Sequence, residues 1–135
     1  MIPRETSASI ELPVPVGEAW RALTTAAGGT GEDAGDVWHF EHTDVVLDPA
    51  ITPGEGAGGS GRWEDLEFRV AVHLVPRGAD GTLLLFTAEA TEEPHGVRST
   101  AHASAAHRRA RHDLEAMAEA VGTLVSEWED TGSTS

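Results

Sequence analysis

The sequence predicts an α+β domain in which a curved antiparallel sheet of six or seven strands wraps around one long C-terminal helix. Three observations predict it. Residues 7–14 and 63–75 alternate between apolar and polar, the period of a strand with one buried face. The run Pro76-Arg77-Gly78-Ala79-Asp80-Gly81 is turn chemistry that folds 63–75 back onto 82–91 as a hairpin. From Ser99 to Trp128 an apolar residue recurs every three or four positions, the stripe of a buried helix about seven turns long.

Taken in order, Ala8, Ile10, Leu12 and Val14 share one face of the first strand, and Pro13 and Pro15 end it because proline donates no ladder hydrogen bond. Val16, Ala19, Trp20 and Leu23 then fall at helical spacing, and the run Ala27-Gly28-Gly29-Thr30-Gly31 stops that short helix. Residues 36–48 read as one or two strands, with Trp38, Phe40 and His42 on one face and Val37, His39 and Glu41 on the other. Residues 49–61, rich in Gly and Pro, read mostly as loop, with room for one short strand. The strand from Trp63 to Val75 sets Leu66, Phe68, Val70, Val72 and Leu74 against Glu67, Arg69 and His73. In the final helix Ala103, Ala106, Ala110, Leu114, Met117, Val121, Leu124 and Trp128 form the stripe, Ser99 or Thr100 serves as N-cap, and Arg109–Asp113 and Arg111–Glu115 read as surface pairs. Residues 1–129 make one domain and 130–135 a disordered tail.

Composition bounds the function. With 23 acidic residues against 9 basic ones, all Arg, the net charge of −14 repels phosphate backbones and anionic membrane surfaces. Neither nucleic acid nor a membrane is therefore expected as a partner. The absence of Cys rules out disulfides and thiolate metal sites. No signal-peptide pattern is visible, which makes the cytoplasm the expected compartment. His102, His107 and His112 lie five apart, so each is turned roughly 140° from the last and the three cannot converge on one ion. No metal or cofactor is expected. Gly54-Glu55-Gly56-Ala57-Gly58-Gly59 fits a dinucleotide-binding string, but no helix follows to aim amides at a pyrophosphate; it reads as a loop able to act as a lid.

The stretch Ser9-Ile10-Glu11-Leu12-Pro13-Val14-Pro15-Val16-Gly17-Glu18-Ala19-Trp20-Arg21-Ala22-Leu23-Thr24 resembles the opening of the START/Bet v 1-like (SRPBCC) superfamily: a strand, a proline, a helix start and a Val/Ala-Trp-x-x-Leu core. The order of elements matches that superfamily's helix-grip fold over most of the chain. The resemblance implies a cavity between sheet and C-terminal helix that holds an apolar or aromatic small molecule. Its bacterial relatives include polyketide cyclases and aromatases, ligand carriers and an Hsp90-activator-like group.

Trp38, Phe40, Trp63, Phe68, Phe86, Leu114 and Met117 are the candidate ligand-binding residues, as apolar side chains between sheet and helix. His42 is the candidate acid/base group, since imidazole titrates near neutral pH and shares the Trp38/Phe40 face. His107 flanks the helix stripe and is a second candidate. Arg69 is a third: in cyclase relatives an Arg inside the cavity polarises a ketone, although the alternation here sets Arg69 opposite the apolar set. An enzyme of cyclase, aromatase or dehydratase type is the first expectation, even though the absence of Tyr removes one phenol acid. A ligand carrier or sensor, a protein-interaction module and a homodimer are the alternatives kept open.

Overall fold

The computed structural model describes residues 5–28, 37–47, 56–64, 66–91 and 96–133. The chain runs β1 (Glu5–Leu12), α1 (Val16–Ala26), β2 (Val37–His39), β3 (Asp44–Leu47), β4 (Gly56–Trp63), β5 (Leu66–Arg77), β6 (Gly81–Ala90) and α2 (Gly96–Ser133). The strands form one antiparallel sheet in the order β1-β6-β5-β4-β3-β2. All but one neighbour pair are also consecutive in sequence. The exception is β1, which crosses to the last strand and pairs Leu12 with Thr82 and Glu5 with Glu89.

Alternation places the core. Leu66, Phe68, Val70, Val72 and Leu74 of β5 are buried together with Thr82, Leu84, Phe86 and Ala88 of β6, and α2 covers this face with Ala106, Ala110, Leu114, Met117, Val121 and Val125. Helix α1 adds Ala19, Ala22 and Leu23, while the Trp20 ring lies 6.1 Å from that of Trp38. The Thr82 hydroxyl donates to the Val14 carbonyl at 2.8 Å, giving the backbone between the two prolines a buried partner it would otherwise lack. The Arg21 guanidinium stacks 4.8 Å above the Trp128 ring and so ties α1 to the end of α2. Among the described residues no helix is long and apolar enough to cross a membrane.

The structure corrects the sequence reading at four places. Residues 56–63 are a full eight-residue strand rather than loop, hydrogen-bonded along β5 from Gly56–His73 to Trp63–Leu66. Its glycines answer a steric demand: a Cβ on Gly59 would run into the Val46 carbonyl oxygen of β3. Consequently Gly56–Gly59 lie inside the sheet and not in a lid, while 54 and 55 fall outside the described residues. Trp63 ends β4 instead of opening the next strand, because the chain reverses at Glu64, whose φ of 52° is left-handed. Helix α2 begins at Gly96, ahead of the expected caps Ser99 and Thr100, and continues to Ser133 through most of the expected tail. Finally, Arg109 pairs with Glu64 at 3.0 Å and not with Asp113, which is buried; Arg111–Glu115 does form, at 3.0 Å.

Candidate functional site

One acidic side chain lies inside the seam between α2 and the sheet. Asp113 is 0 % exposed. A carboxylate taken out of water costs several kcal/mol unless donors replace the solvent. Three donors do so here: Oδ2 accepts from the His42 backbone N–H and from Trp63 Nε1, each at 2.8 Å, and Oδ1 meets His42 Nδ1 at 2.5 Å. The donors come from two separate places in the sheet. His42 sits in the tight turn between β2 and β3, held by the Phe40 N–H donating to the Thr43 carbonyl at 2.8 Å. Trp63 is the last residue of β4. The carboxylate thus fastens both sheet elements to one point on the helix.

This arrangement determines how the His42 ring is used. Nδ1 carries the proton it gives to Asp113, so the lone pair is left on Nε2. The side chain is one-third exposed and lines an open cleft of about 440 Å³, together with Glu41, Glu64, Ala105, Arg108, Arg109 and His112. Two contacts already span the cleft, Arg109 with Glu64 at 3.0 Å and His112 Nε2 with Glu41 Oε2 at 3.2 Å. Arg108 has no ion-pair partner among the described residues and supplies a cation to the cleft wall. The His42 and His112 rings lie 5.6 Å apart. An imidazole oriented by a buried carboxylate, facing a cleft with a guanidinium, is equipped to take a proton and to steady the negative charge that results.

The remaining predicted residues are placed as follows. Trp38 and Phe40 are buried, but β2 ends at His39, so His42 reaches the cleft from the turn and not from a continued strand face. His107 does not reach it. It lies on the buried side of α2 with its ring 5.0 Å from that of Phe68, and its buried Nδ1 has no hydrogen-bond partner. Burial lowers its pKa below 6.5 by penalising the charged form. Arg69 stands on the outer face of β5, opposite Ser60 and Glu89, away from the cleft. Trp38, Phe40, Trp63, Phe68, Phe86, Leu114 and Met117 all belong to one buried cluster, none more than 7 % exposed. Within it Phe40 meets Trp63 and Phe86 edge-on, and Trp63 meets Phe68 likewise, with centroids 5.5–6.5 Å apart. Asp113, the centre of the site, escaped the sequence reading. Its only visible signal was its place beside Leu114 on the edge of the apolar stripe.

No protein-family model matches the sequence, and no curated protein matches it. In three dimensions the chain superposes on a START superfamily protein from Mycobacterium smegmatis with a TM-score of 0.60 at 12 % identity, over 93 % of this chain and 99 % of that one. The chain therefore shares the fold of that START superfamily structure. Two further structures resemble this chain. The di-domain ARO/CYC StfQ of the steffimycin biosynthetic pathway matches with a TM-score of 0.63 at 11 % identity, over 94 % of this chain and 52 % of that one. Norcoclaurine synthase from Thalictrum flavum, in complex with dopamine and hydroxybenzaldehyde, matches at 0.62 and 17 %, over 91 % and 86 %. At such identities a START/Bet v 1-like frame is shared architecture, and chemistry has to be argued from this chain's own side chains.

Proposed function

We propose that this START/Bet v 1-like chain is a small enzyme of cyclase, aromatase or dehydratase type, acting without a cofactor on an apolar or aromatic molecule that bears a carbonyl group. The observation that carries the reading is the His42–Asp113 pair at the edge of an open cleft. His42 Nε2 removes a proton from the carbon next to the carbonyl. The imidazolium so formed is stabilised by Asp113, and the enolate oxygen by the Arg108 guanidinium. In a cyclisation the enolate carbon attacks a second carbonyl of the same molecule, and the imidazolium returns its proton to the new alkoxide. In a dehydration the proton goes instead to the departing hydroxyl, which leaves as water. Both keep atoms and charge balanced, and both use one base that becomes the acid. The edge-to-face aromatic cluster behind Asp113 supplies the apolar surroundings in which a His–Asp pair is strong.

The test starts with native mass spectrometry of protein purified from its own host, followed by denaturing extraction. A co-purifying aromatic or polyketide-like molecule names the substrate class. Turnover of that molecule by the wild type, lost in His42→Ala while binding persists, is the expected result. Binding without turnover in the wild type would leave a carrier, and retention of a second polypeptide with no small molecule would sink the reading.

A further inference from the structure

The same turn and helix bring together a second set of donors that the sequence spacing concealed. Glu41, His42, His112 and Asp113 each offer a ligand atom, and these atoms lie within 4.8 Å of one another. Asp113 is spoken for: it is fully buried, and its two oxygens already accept from His42 and Trp63. Glu41, His112 and the ring nitrogen of His42 that does not face Asp113 remain, on three exposed residues.

Two of their separations match those of ligands around one ion. Two donors on one tetrahedral zinc, each at 2.0–2.2 Å, stand roughly 3.3 Å apart. Glu41 Oε2 and His112 Nε2 are 3.2 Å apart. Two imidazoles on one such ion hold their ring centres roughly 5 Å apart, and the His42 and His112 rings are separated by 5.6 Å. Behind the set lies the partner that metal-bound histidines usually have, a carboxylate receiving the other ring N–H, here Asp113 on His42 Nδ1. Two imidazoles and one carboxylate, with the fourth position open to the cleft, favour zinc or a similar divalent transition ion over calcium or magnesium, which prefer all-oxygen shells.

We propose that Glu41, His42 Nε2 and His112 form a binding site for a divalent transition cation of the zinc type, with Asp113 as the positioning residue that orients His42. The ion takes the lone pair that the proton-transfer reading gives to the base. If that reading holds, zinc is a competitive switch that turns turnover off, and this clause alone rests on it. Binding itself does not depend on it.

Isothermal titration of chelator-stripped full-length protein with zinc chloride reads the binding directly. One equivalent is expected to bind saturably. Glu41→Gln and His112→Ala, both at exposed positions, are expected to weaken it at least tenfold. Asp113→Asn is expected to weaken it 10–100-fold, with circular dichroism reporting whether that variant is folded. His73→Ala, on the outer face of β5, serves as the control and is expected to leave affinity unchanged. Absence of saturable binding, or affinity that His112→Ala and Glu41→Gln leave intact, would overturn the proposal. Because no turnover is measured, failure here is distinct from failure of the enzyme reading, which the substrate assay tests.

Discussion

Two histidines lean into the seam between α2 and the sheet, and they have opposite fates. His42 reaches Asp113 through both its backbone and its ring and shows its far side to a cleft. His107 lies against Phe68 with a buried nitrogen that no described residue satisfies. The same residue type meets a carboxylate at the edge of a cleft in one place and packs against an aromatic ring in the other. The difference lies in the partner: a partly exposed imidazole with a buried carboxylate behind it is held in one orientation, whereas one with a benzene ring beside it is merely desolvated.

The sharpest way to break the contrast is to remove the carboxylate. Asp113→Ala leaves two buried N–H donors and one imidazole without their acceptor and should cost roughly 3–5 kcal/mol, measured by urea unfolding. A loss below about 1 kcal/mol would mean that water replaces the carboxylate freely and that Asp113 does not organise the seam. Next in size is the chemistry. His42→Gln should lower the turnover of any identified substrate by about 10²–10⁴-fold, the range for a positioned general base, and a smaller effect would move proton transfer elsewhere. Trp63→Phe keeps the ring and deletes one donor to Asp113, so a loss of about 1 kcal/mol in thermal or urea unfolding is expected.

The smallest effect concerns His107. Its pKa is lower in the folded chain than the unfolded value of 6.5, so below that pH the unfolded state binds more protons. Its contribution to stability is therefore intact above about pH 6.5 and is lost as pH falls toward the folded pKa. His107→Phe should flatten the stability profile below about pH 6.5 while leaving the cleft untouched. An unchanged slope would show that His107 protonates in place at no cost.

These contrasts mark where sequence periodicity was informative and where it failed. The stripe through Ala106, Ala110, Leu114, Met117 and Val121 and the alternation of β5 were legible because burial imposes a period on apolar residues. His42 was singled out by an alternation that the structure ends at His39, and its place comes from the turn that follows. Strand β4 was not legible, because its pairing demands closeness to neighbouring backbone rather than apolar alternation, and glycine looks like loop. Asp113 was misread because Arg109 stands one turn before it and offers a ready surface partner. Its true partners are 71 and 50 residues away along the chain, at a distance that only the fold can close. The Glu41–His112 pairing was hidden for the same reason.

The placement of β1 beside β6 has a consequence for how the protein is made. Strands β4 to β6 form a meander that can assemble from local hairpins, but β1, although it leaves the ribosome first, has its partner only once β6 has been synthesised. Until then Ile10 and Leu12 have no strand to lie against and Val14 lacks the Thr82 hydroxyl. Closing that long chain loop is the slow, non-local part of folding, and the interval during synthesis is when the first strand is most open to chaperones or to another copy's sheet edge.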